Sequence, residues 1–285
     1  MKYAVLSMDI EEWYHLDYLR ENDCDRTYSL LDGIYSFLDI VDSYRIPGSF
    51  FILGELIQGI SDTLRELDTL GHDLAIHGWD HSLPIKMDIR AFEEDVERSK
   101  KELEDVLGKR VCGYRAPCFS MDRKRLDALQ KIGLKYDSSR ILFREHPLYK
   151  EVNISGFTKV SNNIFRLNDF FEFQVSTLKL GGRQIPVSGG GYIRIFPWFV
   201  MKRLLNRYIT CQDLYVFYIH PFELSSKKNP PFPTDTSQID KLRFCIGRSS
   251  VAYKLHSLIN ILKDRQFCFT TFSSLRRKIL NERET

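Results

Sequence analysis

Three of the seven histidines in this chain, and a group of its carboxylates, stand directly after short apolar runs. Residues 3–10 lead into Asp9-Ile10-Glu11-Glu12, and residues 73–77 into His77-Gly78-Trp79-Asp80-His81. Residues 111–114 end at Arg115-Ala116-Pro117, and residues 214–219 lead into His220-Pro221-Phe222-Glu223. His77 and His81 are four residues apart, so a helical turn or a tight loop lets both imidazoles face one point. Two imidazoles and one carboxylate make a common zinc site with a position left open for water. Asp9, Glu11 and Glu12 are all candidates for that carboxylate. Imidazoles and carboxylates are also frequent general acids and bases. The four run-ends together therefore hold the parts for a metal site, with an arginine and further carboxylates beside it.

For these parts to meet, the runs must be strands that end on one side of a sheet. The segments between them read as helices. Residues 31–41 and 56–70 repeat apolar positions at helical spacing, and Gly71 closes the second. Residues 88–107 have Asp88 as N-cap and Gly108 as stop; Asp122 and Gly133 bracket the next helix in the same way. Strand and helix in alternation argue for a parallel sheet with helical crossovers. In such folds reactive groups collect at the carboxyl ends of the strands. Residues 142–197 then change character, richer in Gly, Ser, Asn and aromatics. Beyond them come a helix at 197–207, a Pro/Ser/Lys loop at 227–237, a helix at 251–262, a strand at 267–271 and a short basic helix at 275–280. With no repeat and no linker, the chain reads as one unit over 1–285, with about 142–200 as an insertion.

Composition narrows the function. The chain has 285 residues, 43% hydrophobic and 28% charged, enough apolar material to argue against disorder. Lys plus Arg is 41 against 38 for Asp plus Glu, a net +3, which argues against nucleic-acid binding by bulk charge. Six cysteines without a Cys-x-x-Cys read as reduced thiols. No run approaches the ~18–20 apolar residues of a membrane span, and the N-terminus has no signal-peptide core. The expectation is a cytoplasmic protein, at most in weak peripheral contact with the inner membrane surface through Arg276, Arg277 and Lys278. Oligomeric state stays open.

The order of these motifs resembles the polysaccharide deacetylase family, the NodB-homology hydrolases, from residue 1 to about residue 280. Ser7-Met8-Asp9-Ile10-Glu11 is similar to the first motif, in a variant where the second acid is Glu and sits two residues on. His77 to His81, Tyr114-Arg115-Ala116-Pro117, Tyr136-Asp137-Ser138-Ser139 and the His220 motif follow in order. Gly189-Gly190-Gly191-Tyr192-Ile193-Arg194 with Pro197 resembles a segment of the bacterial exopolysaccharide-biosynthesis subgroup. The resemblance implies an α/β fold, a distorted (β/α) barrel with an inserted β-rich or loop segment. It implies a divalent metal, Zn2+ first, with Co2+, Ni2+, Fe2+ or Mn2+ as alternatives, held by Glu11, His77 and His81. It implies removal of an N-acetyl group from a sugar, with Asp9 as base, His220 as acid and Arg115 orienting Asp9. Because the first motif departs from the commoner one, Asp9 and Glu12 stay open as ligands.

Several residues carry a second reading. Glu172 or Asp169 could orient a functional histidine, as a second carboxylate often does. Glu223 could support His220. Trp79, with Trp13, Tyr14 and Trp198, could stack on a sugar, and Tyr114 and Pro117 could line its site. The triple glycine reads as a tight loop that lets backbone approach the site. The expected partner is an N-acetylated sugar, oligosaccharide or lipid-linked glycan. The rival readings are an allantoinase-like hydrolase opening a cyclic amide of a small nitrogen compound, and a carbohydrate-binding protein that has kept the barrel without catalysis.

Overall fold

A strand buried on both faces can be apolar throughout, and residues 4–10 are buried without a break. In a computed structural model, describing residues 1–20, 22–142 and 152–282, they form most of β1 (Lys2–Ile10), the axis of a curled sheet. His146 and residues 143–151 of the expected insertion lie outside the described residues. The further strands are β2 (Gly48–Ile52), β3 (Asp73–Ile76), β4 (Gly113–Tyr114), β5 (Tyr136–Asp137), β6 (Thr158–Ser161), β7 (Ile164–Leu167), β8 (Phe170–Phe173), β9 (Thr177–Leu180), β10 (Arg183–Pro186), β11 (Leu214–Ile219) and β12 (Phe267–Phe269). The helices are α1 (Gly33–Ser43), α2 (Ser61–Thr69), α3 (Ile89–Leu107), α4 (Arg123–Ile132), α5 (Gly190–Ile195), α6 (Trp198–Cys211), α7 (Pro221–Leu224), α8 (Gln238–Cys245), α9 (Val251–Asp264) and α10 (Phe272–Asn281).

The main sheet runs β11-β1-β2-β3-β4-β5-β8-β7-β6, with β12 also paired to β1. All pairings from β11 through β8, and β1 with β12, are parallel; β7 is antiparallel to both of its neighbours. The change of character after residue 142 is thus a switch from crossovers to hairpins, with β9 and β10 forming a second antiparallel ribbon. Between β8 and β11 side chains take over from the ladder. Ser176 Oγ accepts from Val216 N–H at 2.9 Å, and Tyr208 OH joins Ser176 at 2.8 Å and the Leu214 carbonyl at 2.7 Å. This closes a distorted (β/α) barrel.

The helices begin and end as the caps require. Asp88 and Asp122 accept from the amides of Ala91 and Arg125, and Gly108 and Gly133 take left-handed backbone at the C-caps. Along β1, Ala4, Leu6, Met8 and Ile10 join the apolar layer shared with the helices, while Val5 joins the inner cluster of Phe51, Tyr136, Phe171 and Phe272. A period of two therefore sends Ser7 and Asp9 into the barrel with Val5. Among the described residues no helix is long and apolar enough to cross a membrane, and all six cysteines are free, two of them exposed.

Candidate active site

The mouth of the barrel holds a cavity of about 350 Å³, within the size range of small-ligand sites. Asp9, Glu11, His77, His81, His220 and Glu223 all line it. Each arrives from the end of a strand. Asp9 ends the inward series of β1, His77 follows β3, and His220 follows β11. The His77–His81 segment is a loop and not a helix. Gly78 (φ 80°) and His81 (φ 64°) take left-handed backbone, and Arg20 holds the His81 carbonyl at 2.6 Å. That turn brings the two imidazoles to a 5.5 Å ring separation.

Glu11, His77 and His81 each offer one donor atom, all within 4.8 Å of one another, and all three residues are buried. Glu11 Oε2 lies 2.7 Å from His81 Nε2 and 3.8 Å from His77 Nε2, yet among the described residues no donor is aligned to hydrogen-bond it. His77 Nδ1 sits 2.8 Å from the Arg115 carbonyl. A carbonyl only accepts, so Nδ1 carries the proton and the Nε2 lone pair is left for a cation. Burial lowers His77 to about 4, which keeps it neutral, as a ligand must be. Burial alone would raise Glu11; His81, His220 and His77 outweigh it and hold the carboxyl well below the usual range. A buried carboxylate oxygen without an aligned donor, flanked by two imidazole nitrogens, fits a divalent cation of borderline hardness.

Beside this trio Asp9 accepts from Arg115 at 2.6 Å. Arg115 is fully buried, bonded to Ser7 Oγ and to the Ser138 carbonyl and hydroxyl, and stacked 4.0 Å over Phe51. Opposite stands His220, with Nε2 3.7 Å from Glu11 Oε1 and Nδ1 3.1 Å from Glu223 Oε2. Burial acts to lower His220; Glu11 and Glu223 outweigh it and raise the imidazole to about 9. In the Arg115 loop, the amides of Ala116, Phe119 and Ser120 are bonded and Pro117 has none. Cys118 and Phe119 take left-handed backbone.

Other expected residues are elsewhere. Among the described residues Glu172 orients no histidine: it is fully buried against Asp137, its partner across β5 and β8, and accepts from Arg140 N–H. Asp169 is exposed, paired with Lys135 and Arg276. Tyr114 packs edge-on to Phe92 in the helix-side core, because its strand neighbour Arg115 takes the inward face. Pro117 packs under Gly78. Trp79 lies under Arg98, 3.3 Å from ring to guanidinium, and Trp13 is fully buried. Glu12 turns away from the site to cap residues 13–15 and to accept from Leu30 N–H. The aromatic wall is made instead by Tyr18, Phe119, Tyr192, Tyr218 and Phe222. Arg194 and Arg243 also line the cavity; only Arg194 had a pointer in the sequence, the glycine run just before it.

Residues 17–136 match the family described as polysaccharide deacetylase. Over this stretch, less than half of its length, the chain is similar to the polysaccharide deacetylase family. Residues 146–277 match a domain of unknown function, DUF3473. Two relatives are a peptidoglycan deacetylase of Helicobacter pylori, 30% identical over 123 residues, and a peptidoglycan deacetylase-like protein of Gibberella zeae, 26% identical over 109 residues. The first match covers 43% of this chain and 42% of the relative, the second 38% and 32%, so the chain matches less than half the length of either. Among solved structures, a Mycobacterium smegmatis protein described as a polysaccharide deacetylase aligns with TM-score 0.62 at 17% identity, covering 99% of this chain and 92% of its own. A Bacillus anthracis pseudoenzyme of the CE4 family aligns with TM-score 0.57 at 9% identity, covering 97% and 66%. These likenesses speak to fold; a deacetylase fold can be inactive, so activity has to be argued from side chains.

Proposed function

We propose that this chain belongs to the polysaccharide deacetylase family and is a metal-dependent hydrolase that removes N-acetyl groups from an amino sugar of a polysaccharide or glycan precursor. The observation that carries the reading is the convergence of Glu11, His77 and His81 within 4.8 Å, with Asp9 and His220 on either side. The proposed role of Glu11, His77 and His81 is to hold a divalent cation, most simply Zn2+. Such a cation, when bound, polarises a carbonyl and makes water more acidic.

The chain's own groups do the rest. Asp9, fixed by Arg115, takes a proton from the attacking water. We assign to a backbone N–H of the loop after Arg115 the hydrogen bond to the oxygen that gains charge as the carbonyl becomes tetrahedral. His220 gives its Nε2 proton to the departing amine. The aromatic wall offers faces for sugar rings. Peptidoglycan, the polymer named in both curated relatives, is the first substrate to try. We also read residues 1–285 as one unit, since β1 pairs directly with β2, β11 and β12. The test is acetate release from peptidoglycan and from N-acetylated amino-sugar oligomers, comparing wild type with His77→Ala. Release that depends on added Zn2+ or Co2+ and is lost in the variant supports the reading. A metal-loaded wild type that releases no acetate from any of them overturns it.

A further inference from the structure

Resting on that reading, we infer that Arg194 is a positioning residue for proton donation by His220, and that the segment matching a domain of unknown function builds the leaving-group side of the site. His220, Glu223, Gly190, Arg194 and Arg243 all fall within residues 146–277, whereas Asp9, Glu11, His77, His81 and Arg115 lie before it. Arg194 is buried on α5. Its Nε donates to Glu223 Oε1 at 2.7 Å. Its Nη1 donates to the carbonyls of Arg243, Phe244 and Ile246 at 3.2, 2.9 and 2.9 Å, where α8 ends and its carbonyls carry partial negative charge. The other carboxylate oxygen, Glu223 Oε2, accepts from the His220 amide at 3.0 Å and faces His220 Nδ1 at 3.1 Å.

The clamp requires close backbone approach. A Cβ on Gly190 would sit 1.8 Å from Glu223 Oε2, and one on Gly189 (φ 95°) 2.6 Å from the Tyr218 ring. The triple glycine thus lets α5 reach the carboxylate behind the imidazole. The chemistry needs that carboxylate held still. When the C–N bond of the tetrahedral species breaks, its electron pair goes to nitrogen and the Nε2 proton moves to that nitrogen. The imidazole is left neutral, with its Nδ1–H donating to Glu223. A Glu223 free to rotate would let the ring turn and lose the aim of Nε2.

The test compares wild type with Arg194→Gln, Arg194→Lys, Glu223→Gln and the double variant Arg194→Gln/Glu223→Gln. In acetate release, kcat is expected to fall about 10–100-fold in each Gln single variant, with KM and bound metal unchanged. The double variant should be no slower than the slower single, and Arg194→Lys should recover part of the loss. In NMR, the downfield Nδ1 proton of His220 seen in wild type should be lost from Arg194→Gln and Glu223→Gln. A folded Arg194→Gln with wild-type kcat, an unchanged Nδ1 resonance, or effects that multiply in the double variant would each overturn the inference. Should Arg194→Gln fail to fold, Arg194→Lys decides it: unchanged kcat and resonance overturn the role. An inert wild type sinks the deacetylase reading instead, and the Nδ1 signal still reports whether Arg194 holds His220.

Discussion

Arg115 reaches Asp9 across the barrel interior, from the end of β4 to the end of β1, with β2 and β3 between them, at 2.6 Å. Both groups are buried, and the guanidinium spans the gap by lying on Phe51 of β2. One long side chain therefore ties opposite walls of the barrel at the base of the cavity.

Replacing Arg115 by Met leaves Asp9 as a buried charge without its partner and also strips donors from Ser7 and Ser138. Breaking a buried ion pair on one side is destabilising by about 3–5 kcal/mol. Urea unfolding of Arg115→Met should show a loss of that order, together with loss of acetate release. A variant within about 1 kcal/mol of wild type would mean the pair is energetically equivalent to an exposed one.

How much of this was legible beforehand depended on whether a signal was local. The caps at Asp88 and Asp122 and the strand ends at Asp9, His77, Arg115 and His220 could be read from neighbours in sequence. So could the need for close approach at the glycine run. What could not be read was set by pairing between distant strands. Glu172 looks like a free acid in the sequence, but the β5–β8 register places it on Asp137. Tyr114 and Arg115 are adjacent, and only the curl of the sheet decides which of them faces the barrel. Arg243 comes to the cavity because Arg194 binds the end of α8, a contact with no local signature.

Gly190→Ala tests the close approach without removing any polar group. The new Cβ would overlap Glu223 Oε2, so the carboxylate or α5 must move. Overpacking of this kind costs about 1–3 kcal/mol. The expected outcome is a modest drop in Tm with a much larger relative loss of kcat. Full activity in Gly190→Ala would show that Glu223 has room to shift without consequence.

Asp95, which holds the Trp79 amide within the His77–His81 loop, predicts a pH effect on stability. Burial, together with Asp80 and against the pull of the Trp79 amide and Arg98, raises its carboxyl to about 6. A raised folded-state value means the carboxyl's contribution is fully present below the unfolded value of about 4 and is lost as pH rises through about 6. Asp95→Asn keeps an oxygen for the Trp79 N–H, 3.2 Å from each carboxylate oxygen now, and cannot ionise. Its stability relative to wild type should rise by up to about 2 kcal/mol between pH 4 and pH 7. Parallel stability–pH curves for the two proteins would contradict this.

A chelator should act on stability as well as turnover. A cation that binds the folded Glu11–His77–His81 trio stabilises it by about 2.7 kcal/mol at a free concentration one hundred times its Kd. Dialysis against a chelator should lower Tm and abolish acetate release, and Zn2+ or Co2+ should restore both. His77→Ala and Glu11→Gln should show no Tm response to added metal. Tm identical with and without metal in wild type would argue against the site.

Glu12 separates the three carboxylates of the first motif. Its side chain accepts from the amide of residue 15 in a capping box and from Leu30 N–H at 3.0 Å, while Glu11 faces the histidines. Removing a cap costs about 0.5–2 kcal/mol. Glu12→Ala is therefore expected to lose about 1–2 kcal/mol of stability while binding metal at wild-type stoichiometry, because its oxygens point to backbone and not to His77 or His81. Glu11→Ala should do the reverse, losing the metal outright. The arrangement follows from where the strand stops: β1 ends at Ile10, the chain turns with the Glu11 N–H on the Asp9 carbonyl at 3.1 Å, and Glu12 becomes the N-cap of residues 13–15. Metal analysis of the two purified variants decides it, and a metal-free Glu12→Ala beside a metal-loaded Glu11→Ala would exchange their roles.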